Sequence, residues 1–353
     1  MLANKCVVIT GGTGSIGNVL VQRLLTGELG MPREIVVFSR DEAKQYSMRL
    51  AIEKRKIATD DLIYQERKRV RYHIGDVSNP SSIASVLRGA DIVFHAAALK
   101  QVPTAEFHPS EAVRTNIMGA ENIVRVIRDH GYPVEAVVGI STDKACKPVN
   151  VMGMTKALQE RVFAQANVQC PNTRFVVARY GNVLASRGSV IPLFHEQITS
   201  GGPVTITTPE MTRFLMSLNQ AVDTIFAALL HANRGETFVP RIPAARVVDI
   251  AQALIGDRPI AVEIIGVRPG EKVHEILVSE EEASRTVQRG DYYAIAPMLP
   301  QLQTETNDLP FEGGEYSSAA SVMSPGQVDE LLRAHGLLID DAPVFLDDIL
   351  AAS

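Results

Sequence analysis

Only three cysteines, Cys6, Cys146 and Cys170, occur in 353 residues. They cannot all pair and they lack metal-ligand spacing, so no disulfide framework and no metal site are expected, and a reducing cytoplasm is. Cys146 reads as a small loop residue rather than a reactive thiol. No apolar run is long enough to cross a bilayer. The N-terminus enters a strand with no n-region, h-region or cleavage site, so membrane insertion is not expected. The chain also lacks an excess of positive charge. Its formal net charge of -5 argues against a general binder of nucleic acid or anionic membrane, and the basic run Arg67-Lys68-Arg69 reads as a solvated loop. Internal repeats and low-complexity segments are missing too. What is present is an ordinary apolar fraction, 46%, over a length that suits one large α/β domain with a smaller lobe, or two domains.

Short apolar strands alternate with helical patterns through the first two thirds. Strand candidates are 7–10, 34–38, 70–74, 91–95, 136–140 and 174–179. Helical patterns follow 17, span about 109–130 with Asn116 facing the sheet, and run from 151 to about 166. This alternation predicts a doubly wound parallel sheet, an α/β Rossmann-type fold. From 183 to about 208 the pattern is irregular. A helix over 217–231 and a strand near 237–239 rejoin the sheet. Beyond them lie a short helix (247–254), a strand (261–265), a turn-rich loop (304–324) and a last helix (325–335). The division expected is a Rossmann domain over 1–182 with about 209–240, and a substrate lobe over 183–208 and 241–353.

The first strand runs into Gly11-Gly12-Thr13-Gly14-Ser15-Ile16-Gly17. Glycines at 11, 14 and 17 permit a tight strand-to-helix turn, close approach of backbone to a pyrophosphate, and tight helix–strand packing. A Gly-rich triplet alone is weak evidence, but its place between a strand and a helix points to a dinucleotide site. The second strand ends in Ser39-Arg40 rather than in a carboxylate. An Arg there matches a 2′-phosphate by charge and fork geometry, so NADP is expected over NAD. Asp76 and Val77, ending the third strand, would flank the adenine, and Ala96 and Ala97, after the fourth, would let backbone pass close to the cofactor. His95 reads as a satisfied strand-end histidine.

Ser141-Thr142-Asp143-Lys144 ends the fifth strand, at the edge where open α/β sheets bind ligands. A carboxylate beside an amine can divide acid and base work. Lys156 lies on the helix that follows.

These residues resemble the extended short-chain dehydrogenase/reductases. Ala97-Ala98-Leu99-Lys100-Gln101-Val102-Pro103, Ser141-Thr142-Asp143-Lys144-Ala145, Arg179-Tyr180-Gly181-Asn182-Val183, Arg187-Gly188-Ser189-Val190-Ile191-Pro192 and Arg268-Pro269-Gly270-Glu271-Lys272 are similar to nucleotide-sugar 4,6-dehydratases. The likeness is to the short soluble members of the polysaccharide-biosynthesis subgroup acting on UDP-N-acetylglucosamine, and it spans about residues 5 to 300. It implies an internal hydride transfer from sugar C4 to C6 with loss of water, the NADP being regenerated each turnover. It assigns Asp143 as the acid at the C6 hydroxyl and Lys144 as the base at C5, needing a lowered pKa from burial or from Lys156. Thr142 would bond the C4 oxygen, and Lys156 the nicotinamide ribose. Met152 stands where the wider family has a catalytic Tyr, so Asp143 is expected to take the C4 hydroxyl proton as well. Arg187, Arg213 and Arg268, with Asn182, would hold the diphosphate, Glu271 the uridine ribose, and Lys100 the nicotinamide or sugar. A homo-oligomer is implied. A 4-epimerase or reductase, which needs no acid–base pair at C5 and C6, and a non-catalytic NADP-binding sensor are the competing readings.

Overall fold

The computed structural model describes residues 1–54, 69–184 and 189–341. Its centre is a ten-stranded sheet. Six parallel strands are β1 (Cys6–Thr10), β2 (Glu34–Ser39), β3 (Val70–Ile74), β4 (Ile92–His95), β5 (Ala136–Thr142) and β6 (Arg174–Tyr180). They are joined by β7 (Thr237–Pro240), β8 (Thr286–Arg289), β9 (Tyr292–Ile295) and β10 (Leu309–Pro310). The order is β10-β8-β9-β7-β6-β5-β4-β1-β2-β3. β1 lies between β2 and β4, so the chain winds outward in both directions from that point, and a crevice opens at the carboxyl ends of the strands.

The strands are Val- and Ile-rich and covered on both faces, as a parallel sheet requires. One apolar layer packs the helices Ser15–Thr26 and Leu218–His231 against the sheet. The other packs Pro80–Leu87, Gly119–His130 and Val151–Gln169. The sheet's last three strands are antiparallel, with β8 and β9 forming a hairpin. No strand is among the sequence expectations for 286–295, so this hairpin is an addition by the structure.

A third cluster forms the lobe over the carboxyl edge, from the helices Val190–Thr199, Val247–Ile255 and Pro325–Ala334. The expectation of an irregular 183–208 is corrected here. Val190–Thr199 is a helix and Val204–Ile206 a strand paired in parallel with Val262–Ile264. The turn residues Gly201, Gly202 and Pro203 punctuate these elements rather than break them, because burial of Ile191, Phe194 and Ile198 supplies the helix's stability. The helix expected over 109–130 is continuous but carries a π-helical stretch at Val113–Met118. Asn116 on that stretch faces the loop after β4 rather than the sheet. It accepts from the Leu99 amide (2.7 Å) and donates to Thr155 Oγ1 (2.9 Å). Among the described residues, no helix is long and apolar enough to cross a membrane.

Candidate active site

A cleft of about 1390 Å³ runs along the carboxyl edge between sheet and lobe. Every residue singled out above for cofactor, substrate or catalysis lines it, except Arg187, which lies outside the described residues. Sequence positions from 11 to 271 are thus gathered at one site.

The glycine turn takes the form its spacing requires. Gly11 has φ +67°, and a Cβ there would stand 2.6 Å from the Ala97 amide nitrogen. The small Ala96-Ala97 pair and Gly11 therefore depend on one another, and bare backbone faces the cleft at the start of the helix Ser15–Thr26. This cradle fits the pyrophosphate of a dinucleotide. Arg40 is exposed at the end of β2, 3.4 Å from Asp76. Asp41 caps the next helix and pairs with Lys44, which also lines the cleft. His95 is half-satisfied: Nδ1 meets Thr10 Oγ1 at 2.8 Å, while the buried Nε2 has no partner. Burial pushes its pKa down to about 3, so it is a neutral core residue.

β5 delivers Thr142, Asp143 and Lys144, and a single 3₁₀ turn at Asp143–Ala145 stops the strand there. Thr142 Oγ1 donates to Asp143 Oδ1 (2.8 Å), and Lys144 Nζ donates to the same oxygen (3.1 Å). Asp143 is fully buried and its Oδ2 has no partner. Burial raises the Asp143 pKa, with Lys144 opposing and Glu275 adding to the rise. The carboxyl therefore holds a proton more readily than an ordinary Asp.

The expected lowering of the Lys144 pKa is corrected. Burial lowers it, but the carboxylates of Asp143 and Glu275 outweigh burial and the net direction is upward. Glu275 lies 3.1 Å from Nζ. The depressed amine is Lys156, which burial brings down to about 8. Its Nζ donates to the Ile140 carbonyl (2.8 Å) and to Gln159 Oε1 (2.9 Å). Met152 is buried one turn before it, in a small cluster with Ala105 and Ala112. Tyr180, paired with Thr142 across β5 and β6, also lines the cleft. Burial drives its phenol well above the ordinary range, so it does not replace the missing Tyr as a base.

The lobe closes the site through Arg268–Lys272. Asn150 Nδ2 donates to the Gly270 carbonyl (2.8 Å), while its Oδ1 caps the helix Val151–Gln169 at Gly153. Glu271 accepts from Thr207 Oγ1 (3.3 Å). Arg213 is nearly buried. It donates to the carbonyls of Thr212 and Val273 and lies 3.8 Å from Glu275, so part of its hydrogen-bonding capacity is already used within the protein. Glu275 was missed in the sequence, although a lone acid opening the apolar strand Ile276–Val278 was the available signal. Four side-chain atoms of the cleft lining are buried without partners: Asp143 Oδ2, Asn182 Oδ1, Ser189 Oγ and Glu275 Oε2. Orphaned buried polar atoms are costly, and their collection here marks a surface shaped for a polar ligand. Cys146 is buried, its thiol pushed up to about 12, in keeping with an unreactive loop residue.

A sequence profile of the polysaccharide biosynthesis protein family matches residues 7–297. The chain belongs to that family. It is 46% identical over 300 residues to a protein of Rickettsia conorii named UDP-glucose 4-epimerase, covering 84% of each chain. The crystal structure of Pen from Bacillus thuringiensis superposes with TM-score 0.85 at 33% identity, over 96% of this chain and all of that one. DesIV, a dTDP-glucose 4,6-dehydratase from Streptomyces venezuelae solved with NAD bound, shares the fold at TM-score 0.63 and 21% identity, over 76% of this chain and 86% of that one.

Proposed function

We propose that the protein is an NADP-dependent UDP-N-acetylglucosamine 4,6-dehydratase, a lyase giving a UDP-2-acetamido-2,6-dideoxy-4-keto-hexose. The observation that carries this reading is a buried carboxyl, Asp143, with its pKa raised by burial, bonded to the amine of Lys144 inside the cleft that also holds the glycine turn. An epimerase handles protons only at the C4 oxygen. A pair of groups for C5 and C6 is what a dehydratase needs in addition.

A nicotinamide dinucleotide held by Gly11 to Gly17, Ala96, Ala97 and Lys156 would supply reversible oxidation at sugar C4. The chain supplies the rest. Thr142 bonds the C4 oxygen. Asp143 takes the C4 hydroxyl proton, directly or through a water, in place of the phenol that Met152 cannot provide. A carboxyl whose pKa is raised by burial can both accept that proton and return it to the departing C6 hydroxyl. Lys144, as free amine, removes the C5 proton. Asn182, Arg213 and Arg268, with Arg187, bind the diphosphate. Glu271 accepts from the uridine ribose, and Lys100 lies against the nicotinamide or sugar. Arg40, with Lys44 nearby, supports NADP over NAD. Arg40→Ala should weaken NADP binding by about 10- to 100-fold, the worth of one to two charge-assisted hydrogen bonds, and leave NAD binding unchanged in a fluorescence titration.

The relatives named as 4-epimerases favour a second reading. One assay decides between them. Purified protein is incubated with UDP-N-acetylglucosamine without added cofactor and the sugar is followed by mass spectrometry and NMR. The dehydratase gives a product lighter by one water; an epimerase gives the C4 epimer at unchanged mass, and that result would sink our reading. Asp143→Asn should stop turnover. If it does not, while Met152→Tyr speeds the C4 step strongly, Asp143 is not the C4 base.

A further inference from the structure

The dehydratase chemistry meets one difficulty. Lys144 must be a free amine to attack the C5 proton, yet in this structure its neighbours hold it as an ammonium. The groups that face it are two carboxylates, Asp143 and Glu275, and one cation, Arg213. Asp143 cannot relieve it, since its own proton is committed between the C4 and C6 oxygens. Glu275 can. Its Oε1 bonds Lys144 Nζ at 3.1 Å, and its Oε2 is buried with no hydrogen-bond partner. The backbone of Glu275 is fixed on both sides by the buried Ser318: its amide donates to Ser318 Oγ (2.9 Å), and its carbonyl accepts from the Ser318 amide (2.8 Å). Burial by itself favours a proton on this carboxyl, but Lys144, Arg213 and Lys272 outweigh burial and hold its pKa below the ordinary range in this structure. A proton on Glu275 therefore requires that those cations be engaged by the bound substrate.

We propose, on the strength of the dehydratase reading, that Glu275 is a positioning residue for the C5 base: it orients the Lys144 ammonium and takes its surplus proton. In this step one N–H bond of Lys144 breaks and one O–H bond of Glu275 forms. The ammonium–carboxylate pair becomes an amine and a carboxylic acid, and net charge is unchanged. The amine then takes the C5 proton, and it is an amine again once that proton, or one exchanged with solvent, returns to C5. Against burial, Lys144, Arg213 and Lys272 keep Glu275 anionic in this structure; a diphosphate that engages Arg213, as the proposed function has it, removes part of that hold.

The test compares wild type, Glu275→Gln and Glu275→Asp with UDP-N-acetylglucosamine in heavy water. Two readouts are taken: deuterium entering C5, and the absorbance of reduced nicotinamide in a single turnover, which reports the C4 step. Glu275→Gln should slow deuterium entry by about 100-fold, the scale of a lost acid–base partner, while the C4 step and KM stay near wild type. Its rate should recover as pH rises, because Lys144 must then lose its proton to solvent, whereas wild type should show no such alkaline rise. Glu275→Asp should recover part of the neutral-pH rate. A Glu275→Gln protein with wild-type deuterium entry and pH profile overturns the role of Glu275 alone. Equal loss of the C4 step and the C5 step in both variants, with no alkaline recovery, makes Glu275 merely structural and also overturns it. Wild type that leaves C5 untouched overturns the dehydratase reading itself.

Discussion

A lysine held almost entirely out of water costs stability unless a full charge faces it, and Lys156 has only a carbonyl and an amide oxygen within hydrogen-bond distance. Burial brings its pKa from 10.5 to about 8. A depressed amine destabilises the fold fully below its folded pKa, and the cost fades as pH rises from about 8 toward the unfolded value of 10.5. Apo wild type should therefore gain on the order of 3 kcal/mol relative to Lys156→Met across that window, read as urea midpoints at several pH values. The same substitution should abolish turnover. Gln159 Nε2 still reaches the Ile140 carbonyl at 3.3 Å, so that acceptor is not stranded. Lys156 would then be kept for function at the expense of stability.

At the scale of elements, the catalytic turn is set by how tightly the helix Val151–Gln169 packs on it. A Cβ on Gly153 would overlap the Lys144 carbonyl oxygen. Gly153→Ala should push the Asp143–Ala145 turn outward. We expect turnover to fall about 100-fold, as for other small displacements of catalytic groups, with NADP binding at the distant glycine turn retained in a calorimetric titration. Proline and glycine punctuation made the segment after β6 look irregular, yet Val190–Thr199 forms a helix because Ile191, Phe194 and Ile198 are buried in the lobe cluster. Local propensity was outweighed by packing that no window of the sequence contains.

Across the whole molecule, one guanidinium ties sheet, helix and lobe together behind the site. Arg179 on β6 binds Glu160 (2.6 Å) on the helix that bears Lys156, and Glu282 (2.7 Å) and the Leu277 carbonyl (2.9 Å) beyond it. Ser141 on β5 donates to Glu160 as well (2.6 Å). Burial works against the Glu282 anion, but Arg179 holds its pKa down to about 2. That contribution is complete above the unfolded value of 4.5 and is lost as pH falls toward 2. Arg179→Met leaves buried Glu160 without its ion-pair partner and Glu282 with only the longer Arg285 pair (3.4 Å), and should cost about 3–5 kcal/mol at neutral pH. Lowering the pH from neutral to 4 should then stabilise the variant while leaving this contribution to wild type almost intact, a difference that thermal melts over that range would show.

The sequence by itself determined the parallel sheet, the glycine turn and the Asp143–Lys144 pair, because each is a local pattern: apolar runs that two covering layers demand, glycines that a tight turn demands, and polar residues at the end of a buried strand. It could not determine which way the lysines titrate. For Lys156 that depends on burial; for Lys144 it depends on burial, on Asp143 and on Glu275, the last brought beside it from 131 positions along the chain (275 minus 144) by the lobe's folding over the sheet edge. Electrostatic energies depend on distance and burial in three dimensions, and only the tertiary structure supplied those.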